Sequence, residues 1–170
     1  RVEMMDLMLD LQDMFDTSFV FISHNLSNAR YLAGKVGGRI GVMYLGHLVE
    51  IGPAERIVND PRHPYTKVLK WSTATLEIEG EIEEPPLRGI DIPDPVNPPE
   101  GCRFHTRCPE AREVCTQEIP ELDPDGDHAT ACFRERSEDH PYWDSPPVEG
   151  AAETDAMMGS DSSAGALGND

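Results

Sequence analysis

SFVFISHNL, residues 18–26, contains an unbroken apolar run, Phe19-Val20-Phe21-Ile22, that stops at Ser23-His24. A strand with one wet face alternates apolar and polar residues, whereas a strand covered on both faces of a parallel sheet reads as a continuous branched and aromatic run. The expectation is therefore a buried parallel strand, and with it the α/β fold class. His24 then stands at the carboxyl end of the strand, where open α/β sheets bind ligands. On its residues alone His24 reads first as a structural histidine and second as a ligand contact whose imidazole can donate to an anionic oxygen or orient a water.

Working outward, Met4, Met5, Met8, Leu11 and Phe15 recur at helical spacing, with Asp6, Asp10 and Asp13 on other faces, which predicts an amphipathic helix. Met4, Met5, Met8 and Met14 are read as a helix face rather than a soft-metal site. After His24, Asn25 or Ser27 can cap a short helix carrying Leu26, Ala29, Tyr31, Leu32 and Ala33 and closed by Gly34. Arg39 to Tyr44 and Leu48 to Ile51 read as strands of a hairpin turning at Gly46-His47. Pro53 suits a helix start for Ala54 to Asn59, and His63-Pro64-Tyr65 opens another helix with Tyr65, Val68, Leu69 and Trp71 as its apolar face.

The acidic stretch EIEGEIEE, residues 77–84, marks a boundary. Residues 1–76 carry eight acidic and eight basic side chains, while 77–170 carry twenty-four acidic against six basic, so the whole net charge of −18 belongs to the second part. Phosphate contacts need clustered Lys and Arg, and none are present, so nucleic acid is not expected as a partner. Twelve of the fifteen prolines lie at or beyond Pro85, which favours a loop-built module over regular elements for 77–136. Beyond Arg136 there are eight acids and no Lys or Arg, and residues 137–170 are expected to form a disordered acidic tail.

The four cysteines of that module are spaced Cys-x5-Cys-x6-Cys-x16-Cys: Cys102, Cys108, Cys115 and Cys132. No stretch reaches the roughly 18 apolar residues of a membrane span and no signal-peptide pattern opens the chain, so the default compartment is the cytosol. Disulfides rarely persist there, and the thiols are expected reduced or metal-bound. Spacing alone diagnoses neither zinc nor an iron–sulfur cluster, because both usually include a tighter cysteine pair. A proline-rich chain of few apolar residues does gain from a metal what it lacks in core. His105 and His128 lie near enough in sequence to substitute as ligands, though each reads as surface or structural. Arg103, Arg107 and Arg112 are read as solvating the loop, and Phe104 and Trp71 as packing residues.

SFVFISHNL, RIGVMYLGHLVEIGPAERIVNDPRHPYTKVL and PDPVNPPEGCRFHTRCPEAREVC together resemble the C-terminal portion of oligopeptide or dipeptide ABC transporter ATP-binding subunits. The resemblance runs to about Cys132, and HPYTKVL and NPPEGCRFHTRCP carry its most specific part. It implies the distal part of a P-loop ABC ATPase domain over 1–76, followed by the Cys-rich and Pro-rich module and the tail. It implies that His24 is the switch histidine sensing the γ-phosphate, and that Cys102, Cys108, Cys115 and Cys132 hold a four-iron four-sulfur cluster, with zinc as the alternative. ATP and Mg would be cofactors of the intact subunit. The implied partners are a second ATPase subunit, transmembrane permease subunits and, indirectly, a substrate-binding protein, at the cytoplasmic face of the cell membrane.

The sequence also departs from a complete member of that family. The Walker A loop, Walker B pair and signature loop are absent, and Gly34-Lys35 lacks both the preceding glycine at the right spacing and a following Ser or Thr. The chain starts at Arg1 without an initiator methionine, so the expectation is a fragment that supplies a phosphate sensor but no nucleotide pocket. From a different functional class, the same residues would serve as a non-catalytic metal-binding or regulatory module that meets a partner protein.

Overall fold

The computed structural model describes residues 2–75 and 84–151. The expected boundary at 77–84 therefore lies almost wholly outside the described residues.

The first helix, α1 (Val2–Phe15), forms as the apolar spacing predicts. Met5 is its buried member, while Met4, Leu7, Met14 and Phe15 are exposed. Asp6 fastens it to the next helix by accepting the Tyr31 hydroxyl at 2.5 Å. That helix, α2 (Leu26–Lys35), starts at Asn25, whose Oδ1 accepts the Asn28 N–H at 3.1 Å, the cap the sequence proposes.

Phe19–Ile22 corrects the opening expectation. The run forms no strand, and Val20 and Ile22 are 93% and 92% exposed. A parallel strand exists only when neighbouring strands satisfy its backbone groups. The pairing partners of the described residues all lie elsewhere.

Strands β1 (Arg39–Tyr44) and β2 (His47–Pro53) make the predicted hairpin, but it turns at Leu45-Gly46, one residue before the expected Gly46-His47, and His47 belongs to β2. Leu45 and Gly46 both sit at positive φ, 44° and 80°, which is the mirror-image two-residue turn that matches strand twist. Alternation in β1 sends Ile40, Val42 and Tyr44 into the core and leaves Arg39, Gly41 and Met43 outside. Pro53 leads directly into α3 (Ala54–Asn59), whose Ile57 is fully buried. Next comes α4 (Pro64–Thr75), where Tyr65, Val68 and Leu69 pack on the core as their spacing implies.

The second part of the chain is not wholly irregular. It contains α5 (Val114–Gln117), β3 (Asp123–Asp125), β4 (His128–Thr130), a 3-10 turn at Phe133–Glu135 and α6 (Pro141–Asp144). The antiparallel sheet runs β1-β2-β4-β3, so a strand from beyond residue 120 pairs with the hairpin, Glu50 opposite Thr130 and Ile51 opposite Ala129. Phe104 extends the joint: it is 1% exposed and packs edge-on to Tyr44 at 5.1 Å and against Tyr65 at 5.5 Å. The result is one small α/β unit in which the cysteine-bearing loops share a core with the hairpin and its helices.

The tail expectation is corrected in part. Residues 137–151 include α6 and a buried Tyr142, while 152–170 lie outside the described residues. Low apolar content argues for disorder only when the few apolar side chains find no surface to cover. Here Tyr142 finds one on Cys115 and Phe133.

Candidate functional site

His24 is exposed, in the bend between the uncovered Phe19–Ile22 run and α2. The local geometry holds the residue after it: Ser23 Oγ accepts the Asn25 N–H at 3.1 Å, and Asn25 in turn caps α2. His24 is thus presented at a helix entrance. It is not assembled with the cysteines.

A second constellation escapes sequence reading altogether. Glu50 is fully buried in β2, and its carboxylate accepts three hydrogen bonds: from Arg62 N–H at 2.8 Å, from His63 N–H at 3.1 Å and from His128 Nε2 at 2.6 Å. His128 Nδ1 has no partner, which places the ring proton on Nε2, where Glu50 accepts it. One side chain therefore ties together the hairpin, the turn that opens α4 and the strand that precedes Cys132. His63 completes the turn by accepting the Tyr65 N–H on Nδ1 at 3.1 Å. Burial, with a smaller contribution from Lys67, lowers the His63 pKa to about 3. The sequence signal was a lone acid inside the strand LVEIG, which pattern reading passes over as an exposed position.

The cysteine loops are folded back on themselves by Gly101. At its φ of +68° a Cβ would meet Cys115 O at 2.5 Å, so only glycine allows the Cys102 N–H to reach Cys115 O at 2.8 Å. None of the four thiols is in a disulfide. Burial pushes Cys102 up to about 11 and Cys108 up to about 12, lifts Cys132 well above its usual range and raises Cys115 as well. The neighbouring thiols add to the rise at Cys102, Cys108 and Cys132, which shows that the four share one region. Backbone N–H groups oppose the rise: Phe104 and His105 at Cys102, Glu110 at Cys108, Arg112 at Cys115 and Arg134 at Cys132.

Among the described residues, no group of three or more His, Cys, Asp or Glu side chains is placed to hold a metal ion. The expected set Cys102, Cys108, Cys115 and Cys132 does not form such a group here; Cys108 and Cys115 are buried, and Cys102 and Cys132 are half-buried. His128 is committed to Glu50, and His105 Nδ1 lies 2.9 Å from Cys102 O, so neither histidine joins the sulfurs.

The arginines correct a further expectation. Arg103 reaches Leu45 O, Arg107 Nε donates to Gly89 O at 3.4 Å, and Arg112 donates to Trp143 O at 2.8 Å and Ser145 O at 2.9 Å. Arg88 holds His105 O and Glu149 O, and Arg134 pairs with Glu110 at 3.1 Å. These side chains bind loop carbonyls and a carboxylate rather than solvating the loop.

Residues 49–115 match the family described as oligopeptide/dipeptide transporter, C-terminal region. The chain is 43% identical over 122 residues to the di/tripeptide transport ATP-binding protein DppF of Pseudomonas aeruginosa, covering 72% of this chain and 36% of that one. It is 41% identical over 141 residues to the dipeptide transport ATP-binding protein DppF of Escherichia coli, covering 83% and 41%. Against the oligopeptide transport ATP-binding protein AppF of Bacillus subtilis the identity is 38% over 135 residues, covering 78% and 40%. The chain thus spans well under half the length of these relatives.

Proposed function

This chain corresponds to the C-terminal part of a peptide ABC transporter ATP-binding subunit, and on that premise we propose that it serves an importer that couples ATP hydrolysis to uptake of di- and oligopeptides. The observation that carries the reading is the continuous similarity to peptide-transport ATP-binding proteins, 83% of this chain in one case, across the hairpin, the His63-Pro64-Tyr65 turn and the cysteine loops. In this reading His24 donates to a γ-phosphate oxygen when ATP, held with Mg by upstream residues of a complete subunit, is clamped against a second ATPase subunit. The exposed run Phe19–Ile22 before it is suited to pair with strands of that larger domain. The complete subunit then works at the cytoplasmic face of the membrane on permease subunits, which receive peptide from a substrate-binding protein.

Cys102, Cys108, Cys115 and Cys132 are proposed as ligands of a four-iron four-sulfur cluster. The support is chemical: four sulfurs share one region, each with a backbone N–H that favours the thiolate, and hydrogen bonds to sulfur are how proteins tune such clusters. When bound the cluster supplies one-electron chemistry and cross-links the loops; the chain's own part is to provide the sulfurs and keep water from them.

The test is ATP hydrolysis by this chain alone and by chain extended upstream to include nucleotide-binding loops. The expected result is no hydrolysis by the chain alone. In the extended protein, His24→Ala should keep ATP binding while lowering hydrolysis on the order of a hundredfold, as for a contact made only in the transition state. An unchanged rate in that variant removes His24 from the chemistry.

A further inference from the structure

The segment 137–151, acidic and without Lys or Arg, lies across the loops that carry the cysteines. Tyr142 on α6 is 1% exposed, packs with Cys115 and Phe133, and donates its hydroxyl to Glu110 O at 2.8 Å. Phe133, directly after Cys132, stacks on His140 with ring centres 5.1 Å apart and planes 18° from parallel. Arg112 lies 5.0 Å from the Tyr142 ring centre while holding the carbonyls of Trp143 and Ser145. Backbone bonds continue the attachment: Glu113 N–H to Pro146 O at 2.9 Å and Val148 N–H to Ala111 O at 3.1 Å. The segment is thereby fastened to residues 110–114, the stretch between Cys108 and Cys115.

We propose that residues 137–151 form a strap whose Tyr142 plugs the cysteine region on the side of Cys115, so that solutes reach that thiol only when the strap lifts. A four-residue helix has no stability of its own, so α6 persists only through these tertiary bonds. Segments held by few contacts open at lower free energy than the whole domain. Strap opening, rather than global unfolding, therefore governs access to Cys115. Cys102 is approached from elsewhere: it lines a cavity of about 350 Å³ bounded by His63, Phe104 and Leu122, none of which belongs to the strap. The inference concerns the placement of the chain over its thiols and holds with or without a cluster, which the same strap would shield from water and oxygen.

The test uses the full chain, reduced and iron-free, with alkylation by iodoacetamide followed at each cysteine by peptide mass mapping. Arg112→Lys keeps the charge near Cys115 but loses the planar fork that grips two carbonyls at once. It should speed modification of Cys115 about tenfold, the factor that corresponds to ~1.4 kcal/mol of lost strap stability, and leave Cys102 within about twofold. Tyr142→Ala should do the same to a greater degree. Should Tyr142→Ala accelerate all four sites alike, it has loosened the whole fold and Arg112→Lys decides the matter. An unchanged rate at Cys115 in Arg112→Lys overturns the strap. Iron content, measured separately on protein prepared without oxygen, bears on the cluster and leaves this outcome untouched.

Discussion

Replacing Glu50 with alanine should cost this protein more than any other single truncation of a polar side chain. The carboxylate is fully buried and accepts from Arg62 N–H, His63 N–H and His128 Nε2. Alanine removes the acceptor these donors use, and each buried donor orphaned in this way, the His63 N–H and His128 Nε2 foremost, costs about 1–3 kcal/mol. Removing a desolvated carboxylate returns part of that sum, so the net loss expected is about 3–5 kcal/mol, the range for breaking a buried pair from one side. Glu50→Gln should be milder, about 1–2 kcal/mol, because its amide oxygen still accepts a backbone N–H. Its amide nitrogen, however, faces Nε2 of His128, and moving the ring proton to Nδ1 puts it where no acceptor exists. Urea unfolding followed by the fluorescence of Trp71 and Trp143 measures both losses. Hydrogen exchange should localise the damage to residues 62–66 and 128–131, on either side of the missing acceptor. A loss below about 1 kcal/mol for Glu50→Ala, or unchanged exchange at both segments, would refute the claim that this carboxylate joins the hairpin to the cysteine loops.

Two further outcomes follow from individual groups. Folded His63 takes a proton only near pH 3 whereas the unfolded ring takes one near 6.5, so the unfolded chain binds more protons between those values. Stability should be full above pH 6.5 and fall towards pH 3 by up to about 1.4 kcal/mol per pH unit from this residue; His63→Gln should flatten the urea midpoint over that window, and an identical slope would mean that the ring is not buried neutral. Protein prepared without oxygen should contain iron and acid-labile sulfide at about four each per chain if the thiols hold a cubane cluster; zinc alone, or no metal after anaerobic reconstitution, removes the cluster.

What the sequence made legible was local. The hairpin, the helix after Pro53, the helix opened by His63-Pro64 and the Asn25 cap all depend on neighbours within a few residues, where turn chemistry and apolar spacing act directly. Phe19–Ile22 forms no strand among the described residues because the same composition serves a buried strand or an uncovered segment, and the difference lies in whether partner strands stand beside it. His24 was legible only through resemblance, since an exposed histidine before a helix has no distinguishing physics of its own. Glu50 and His128 were invisible as a pair because seventy-eight residues separate them, and no periodicity connects an acid in one strand with a histidine in another. The tail was misjudged for the opposite reason: composition averages over 137–170, while one tyrosine and one arginine fork decide the path of 137–151.

The arginines explain how a proline-rich stretch keeps a definite shape. Loops of this kind leave carbonyls that no helix or strand ladder satisfies, and a buried carbonyl must find a donor. Arg88, Arg103, Arg107, Arg112 and Arg136 each donate to at least one such carbonyl, at His105, Leu45, Gly89, Trp143 and Glu121 among others. A guanidinium presents several donors in a fixed plane and loses little freedom per bond, which lysine's single ammonium on a flexible stem does not match. Residues 77–170 accordingly contain six arginines and no lysine. Arg134 and Arg136 also meet carboxylates, at Glu110 and Asp123. The charge of −18 is a matter of composition, with twenty-four acids against six arginines in residues 77–170, and the arginines' bonds to carbonyls leave it unchanged while giving the loops their shape.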